Sequence, residues 1–199
     1  MDTNPHIPRA AIIRDRIQEA PTVFTLRLEP EGDTSVPFRF TPGQFNMVGV
    51  MGLGEVPLSI VSDPSDLDFF DHTVRIVGRV TGAMARMGPG DRVSIRGPFG
   101  NGWPMDATRG RDIVLVSGGL GCAPLVSVVN YVVRRREDFG ALTVLHGVKN
   151  PPGPLLEGAL FPAERDRGNK SLPDERYGRV GLGRGGGSGD QPDRKYFCH

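Results

Sequence analysis

Long apolar runs are missing from this chain of 199 residues. No stretch approaches the ~20 residues that a membrane-spanning helix needs, which excludes a helical span from the reading. An excess of one charge sign is missing too. Lys and Arg number 24 against 23 Asp and Glu, a net charge of +1. That balance supplies no electrostatic ground for nucleic acid or an anionic surface as partner. Cysteine is scarce: Cys122 and Cys198 are the two present. Two are too few for a disulfide framework or a four-cysteine metal site. The four histidines, His6, His72, His146 and His199, are scattered, which speaks against a catalytic histidine. The first residues, Met1-Asp2-Thr3-Asn4-Pro5, lack the basic-then-apolar pattern of a secretory signal. These absences lead to the expectation of a cytoplasmic protein.

What the chain does have is an apolar run that ends in glycines. Asp112-Ile113-Val114-Leu115-Val116-Ser117 leads into Gly118-Gly119-Leu120-Gly121-Cys122-Ala123-Pro124. Glycine lets backbone approach an anion with no Cβ in the way. Proline has no N–H to lose in a first helical turn. After it, Leu125, Val128, Val129, Val132 and Val133 recur at helical spacing. Arg134, Arg135 and Arg136 follow, where positive charge suits the helix C-terminus. Leu142, Val144 and Leu145 read as a second strand, completing one βαβ unit. The spacing Gly119-x-Gly121-x-x-Pro124 departs from the dinucleotide fingerprint, which has glycine in third place. Two readings of residues 118–124 stay open: a nucleotide-phosphate site, or a tight structural turn.

Residues 9 to about 105 read instead as short strands: 9–17, 23–29, 44–50, 58–62, 72–80 and 92–96. Pro, Gly and Asp clusters separate them. Within 23–28, Phe24, Leu26 and Leu28 alternate with Val23, Thr25 and Arg27, a period of two. Such spacing predicts a closed antiparallel barrel or a sandwich. A short helix is expected over 82–87, with Thr81 as its N-cap. Residues 151–199 differ again. Ten of these 49 are Gly and six are Pro, a level associated with low complexity. A doubly wound domain would need further βα units here.

Five segments, in order, resemble the ferredoxin–NADP reductase-like flavoprotein superfamily. They are Thr41-Pro42-Gly43-Gln44-Phe45, Gly54-Glu55-Val56-Pro57-Leu58-Ser59-Ile60, Gly78-Arg79-Val80-Thr81-Gly82-Ala83-Met84, Gly97-Pro98-Phe99-Gly100-Asn101-Gly102 and the turn at 118–124. Within the superfamily the pattern is most similar to sulfhydrogenase gamma subunits and to the electron-transfer subunit of dihydroorotate dehydrogenase. The resemblance covers about residues 8–150. It implies an antiparallel Greek-key flavin-binding barrel over 8–105. An incomplete parallel nucleotide-binding βαβ domain would follow over 111–150, and then a low-complexity, unstructured tail over 151–199. The C-terminal part resembles nothing in the family and reads as truncated or frameshifted.

The same resemblance implies roles. Pro57, Leu58 and Ser59 stand where the family has its first flavin motif. Only Ser59 matches it, and Ser59 inherits the catalytic position at the flavin N5 edge. Leu58 replaces a stacking aromatic, and Val56 replaces a pyrophosphate-binding arginine. Ile76, Val77, Gly78, Thr81, Gly82, Ala83 and Met84 match the second motif. There the N–H groups of Gly82, Ala83 and Met84 would meet a pyrophosphate. Gly118, Gly119, Gly121, Cys122, Ala123 and Pro124 would hold nicotinamide-nucleotide phosphate. The implied cofactors are FAD and NAD(P)H. Full-length relatives carry a [2Fe-2S] cluster whose cysteines are absent here. The implied activity is NAD(P)H–flavin oxidoreduction, with electrons passing to a carrier or partner redox subunit. Two other readings remain: a flavin-binding or subunit-interaction module without turnover, and a nonfunctional frameshifted product. Bland readings also remain for Ser59, a strand-end hydroxyl, and Thr81, a simple cap.

Overall fold

A computed structural model describes residues 4–32, 37–148 and 181–184. Six strands form an antiparallel sheet: β1 (Arg9–Ala20), β2 (Val23–Pro30), β3 (Phe45–Val50), β4 (Gly54–Ser59), β5 (Phe70–Arg75) and β6 (Arg92–Phe99). Their order is β4-β3-β6-β1-β2-β5. The two end strands meet. Ile60 bridges His72, and the Val61 N–H donates to the Asp71 carbonyl at 2.9 Å. The sheet therefore closes, as the strand spacing predicted, and closure removes the open edges. Hairpins β1–β2 and β3–β4 are joined through β6, which lies between β3 and β1.

The alternation in β2 explains the core. Phe24, Leu26 and Leu28 are fully buried inside with Ile13, Val48, Ile60, Phe70 and Ile95. The opposite face of β2 is lidded by cross-strand pairs. Thr25 and Thr73 share a hydroxyl bond of 2.9 Å. Arg27 grips Asp71 through two bonds of 3.0 Å and lies over the Phe69 ring. Such opposed pairs on a sheet face each add a fraction of a kcal/mol.

Several boundaries differ from expectation, and three bear on the site. β4 begins at Gly54, four residues early, and contains Pro57. β5 stops at Arg75. The helix expected over 82–87 is α1 (Arg79–Met84). Thr81 is thus its third residue, and Gly78 takes the cap position in an extended conformation.

A second, parallel sheet contains β7 (Ile113–Gly118), β8 (Leu142–Val148) and β9 (Gly181–Arg184), in that order. Helix α2 (Ala123–Arg134) connects β7 to β8. One side of α2 packs Val128 and Val132 on Met105, Ile113 and Phe139. Another packs Val126 and Val129 on Val61 of the barrel. The uncovered face of β7 shows Val114 and Val116, which are 62% and 69% exposed. The expected unstructured tail lies outside the described residues, apart from β9, whose four residues pair with Leu145–Val148. Among the described residues no helix is long and apolar enough to cross a membrane.

Candidate functional site

Strand β3 sets the centre of the site. Phe45 is paired with Ser59 on one side and with Phe99 on the other. Ser59 and the 97–102 segment are thereby lateral neighbours of one residue. The loop before β3 is held by both. The Gln44 side chain accepts the Thr41 N–H at 2.8 Å and donates to the Gly100 carbonyl at 2.7 Å. The Trp103 N–H donates to the Pro42 carbonyl at 2.8 Å, and its indole lies so close over Gly43 that a Cβ there would collide with it.

Helix α2 joins this cluster through Ser127. Its hydroxyl accepts the Gly43 N–H at 3.0 Å and donates to the Pro124 carbonyl at 3.2 Å. Ser127 is fully buried. The start of α2 is thus docked on the loop that feeds the Ser59 end of the barrel. Asn130 adds a bond of 2.7 Å to the Val61 carbonyl.

The glycine turn is tight and open. Gly119 has φ of +52°, in the left-handed region. Residues Gly119–Cys122 form a tight 3-10 turn, and α2 follows with Cys122 as cap and Pro124 in the first turn. A Cβ at Gly119 or Gly121 would meet nothing within 4 Å. The backbone is open to approach at these two glycines. Cys122 is half-buried, and burial pushes its thiol up from its ordinary value. His146 is buried on β8 and bonded to the Ser117 hydroxyl at 2.7 Å. Burial lowers its pKa.

The second motif lies at the other end of β4. The Arg79 side chain donates to the Leu53 carbonyl at 3.2 Å, and Val80 faces Gly54. Thr81 is a reverse clamp rather than a cap. Its hydroxyl accepts the N–H groups of Val77 and Gly78 at 3.0 and 3.1 Å and leans on the Gly78 carbonyl. The Gly82 N–H is engaged by that carbonyl at 2.8 Å. This corrects the expectation that Gly82, Ala83 and Met84 carry free donors. Unpaired helical N–H groups belong to the first turn, here starting at Arg79. Ala83 and Met84 are buried. Within the first motif, Leu58 is half-buried and packs on the barrel core beside Val56, while Pro57 is exposed. Ile76 also packs on the core, and Val77 is exposed.

Sequence reasoning missed the joint between barrel and α2. Arg135 binds Asp63 through bonds of 2.7 and 3.2 Å, and Asp63 is 1% exposed. Arg134 binds Ser65 and Asp66 at 3.0 and 2.7 Å. Arg136 caps the Phe139 and Gly140 carbonyls. Sequence reasoning also missed a fully buried pair, Asn46 and His72. Burial pushes the His72 imidazole down to about 4, against the opposing pull of its bond to the Ser59 carbonyl. Among the described residues no group of three or more His, Cys, Asp or Glu is placed to hold a metal ion.

No protein-family model matches the chain. Curated proteins do. The sulfhydrogenase 1 gamma subunit of Pyrococcus furiosus is 41% identical over 130 residues, 65% of this chain and 44% of that protein. A probable dihydroorotate dehydrogenase B (NAD(+)) electron transfer subunit of Methanocella arvoryzae is 42% identical over 118 residues, covering 59% of this chain and 41% of the relative. The chain therefore spans less than half the length of these relatives. Among solved structures, phthalate dioxygenase reductase superposes with a TM-score of 0.66 at 20% identity, covering 81% of this chain and 51% of that one. A ferredoxin NADP+ reductase from Neisseria gonorrhoeae, solved with FAD and NADP, gives 0.60 at 23% identity, over 72% and 58%. The matched part of this chain is homologous to sulfhydrogenase gamma subunits and dihydroorotate dehydrogenase B electron-transfer subunits, on the fold of ferredoxin–NADP reductase-like flavoproteins.

Proposed function

We propose that the barrel binds FAD and that, with the glycine turn, it passes reducing equivalents between NAD(P)H and the flavin on behalf of a partner redox subunit or carrier. One observation carries this reading. The Gly43–Ser127 bond and the Phe45 pairing bring Ser59 and the start of α2 to one end of the barrel. Hydride exchange needs the two ring systems in contact, so the two binding elements must converge.

The residues present suit the cofactors. The Ser59 hydroxyl would donate toward the flavin N5 edge. First-turn N–H groups of α1, held in register by Thr81, would face the pyrophosphate. Gly118, Gly119 and Gly121 would let the nucleotide phosphate reach the start of α2, where aligned peptide dipoles favour an anion. FAD supplies the redox chemistry when bound; the protein binds, orients and excludes water. The exposed Val114 and Val116 supply an apolar surface suited to a partner subunit.

A second reading is favoured by the extent of the parallel sheet. Three strands are present among the described residues, and the uncovered face of β7 supports a flavin module that lacks turnover. Purified protein separates the two. Flavin absorbance that NADH or NADPH bleaches anaerobically supports the first. A flavin that stays oxidised supports the second. Protein that takes up no FAD overturns both. Thr81→Val gives a sharper test of the pyrophosphate placement. It leaves the N–H groups of Val77 and Gly78 without their acceptor, a loss of about 1–3 kcal/mol. FAD affinity falls roughly tenfold or more on that account, and Thr81→Ser restores it. Unchanged affinity in titrations of Thr81→Val would place the pyrophosphate elsewhere.

A further inference from the structure

We propose that His72 is a positioning residue for Ser59: its imidazole, keyed by Asn46, fixes the peptide that aims the Ser59 side chain. This rests on the reading of Ser59 as the flavin N5 contact. Three bonds carry it. His72 Nδ1 stands 2.8 Å from the Ser59 carbonyl oxygen. His72 Nε2 stands 3.2 Å from Asn46 Nδ2. Backbone bridging sets His72 beside Ile60, the residue after Ser59.

Only one protonation state satisfies this geometry. A carbonyl oxygen can only accept, so Nδ1 carries the hydrogen and donates. Nε2 is then a bare acceptor, and the Asn46 amide donates to it. The other neutral tautomer would set Nδ1 and a carbonyl oxygen lone pair to lone pair. Burial keeps the ring neutral, since its pKa lies far below the ordinary histidine value. The imidazole is therefore a fixed donor across the neutral range. It supplies the last carbonyl of β4 with a partner at the point where the strand ends.

The arrangement carries a penalty that packing alone does not explain. Asn46 Oδ1 is buried with no hydrogen-bond partner. An apolar residue of similar size at position 46 would avoid that unmet acceptor. Asn46 also fills the space beside Gly97, where a Cβ would collide with Oδ1. The amide thus touches both sides of the site, the Ser59 peptide through His72 and the 97–102 segment directly.

The test compares His72→Asn, His72→Gln and His72→Phe in the full chain. Asparagine places an amide N–H where Nδ1–H stands; glutamine places its amide at the Nε2 position; phenylalanine has no donor. Two readouts follow Ser59 in the protein itself: its carbonyl carbon shift and its side-chain rotamer coupling by NMR. Both stay near wild type in His72→Asn and move in His72→Gln and His72→Phe. With flavin added, the N5 nitrogen shift moves in the same two variants toward that of Ser59→Ala, and the dissociation constant rises roughly tenfold. Folded His72→Phe with unmoved Ser59 signals would overturn the proposal and reduce His72 to a barrel-closing bond. Wild type that binds no flavin would instead overturn the functional reading, while the Ser59 signals still judge His72. Asn46→Leu covers the case of unfolded position-72 variants. With Nε2 no longer held, the Ser59 carbonyl signal should move as in His72→Phe, and an unmoved signal in folded Asn46→Leu would count against the keying role.

Discussion

Replacing Arg135 by methionine lowers the unfolding free energy by about 3 kcal/mol, because it strands a buried carboxylate. Asp63 is almost fully buried. Burial opposes its ionisation, yet Arg135 and the Ser65 hydroxyl and N–H bind it and hold its carboxyl below the usual range. Arg134 lies further off, at 3.6 Å, and is an incomplete substitute. The melting temperature should drop by roughly 10 °C in a chain of this size. The sign of the pH dependence follows from the direction of the Asp63 shift. A carboxyl with a lowered folded pKa contributes stability above its unfolded pKa, and that contribution fades as pH falls through the folded value. The gap between wild type and Arg135→Met therefore narrows in acid. Asp63→Asn in the Arg135→Met background should recover part of the loss at neutral pH. Urea unfolding at neutral pH and below the carboxylate range measures all three. A gap that persists undiminished in acid would show that Arg135 acts through packing on Tyr131, over whose ring it lies, and not through Asp63.

The barrel was legible because its signal is local. In β2 a two-residue period puts Phe24, Leu26 and Leu28 inside, and adjacent side chains on a strand can do little else. The βαβ unit was legible for the same reason. Valines at helical spacing, a glycine turn before them and a proline in the first turn act within one element. Misplaced boundaries arose where two local rules compete. Pro57 argues against a strand, but it sits on β4 opposite Met47 without ending the pairing. Thr81 is a good cap by residue type. It lost that place because an extended Gly78 starts the helix, and the threonine reaches back to the Gly78 N–H.

What stayed hidden is long-range. Three arginines at a helix C-terminus satisfy a dipole argument wherever the helix lies. Only the fold shows Arg135 on Asp63, 72 residues away in sequence. Ser127 breaks no helical pattern, so nothing marks it as the bond to Gly43. His72 reads as one of four scattered histidines until β5 is set against the end of β4. Each of these residues is polar and held by a partner distant in sequence, and such pairings leave no periodic trace.

Gly97→Ala and Gly82→Ala are the same chemical change, and they should have opposite signs. Gly97 has φ of +135°, which an L side chain rarely adopts. A Cβ there collides with Asn46 Oδ1 and comes within 3.2 Å of the Phe45 carbonyl oxygen. Neither neighbour can retreat easily. Phe45 is paired on both sides within the sheet, and Asn46 is fully buried and tied to His72. Backbone strain alone costs about 1–3 kcal/mol, and the displaced amide adds to it, so a total loss of about 3 kcal/mol is expected. Gly82 is a helical residue of α1, and a Cβ there meets nothing within 4 Å. Alanine should gain roughly 0.5–1 kcal/mol by restricting the unfolded chain and favouring the helix. Equilibrium urea denaturation of the two single variants checks both signs, and two losses of equal size would refute the open space at Gly82. The Gly97 change should also travel. Pushing Asn46 aside removes the donor that keys His72, and the imidazole then loses its hold on the Ser59 carbonyl. Gly97→Ala protein that remains folded should therefore show the moved Ser59 carbonyl signal of His72→Phe, although Gly97 lies on β6 and Ser59 on β4, two strands away.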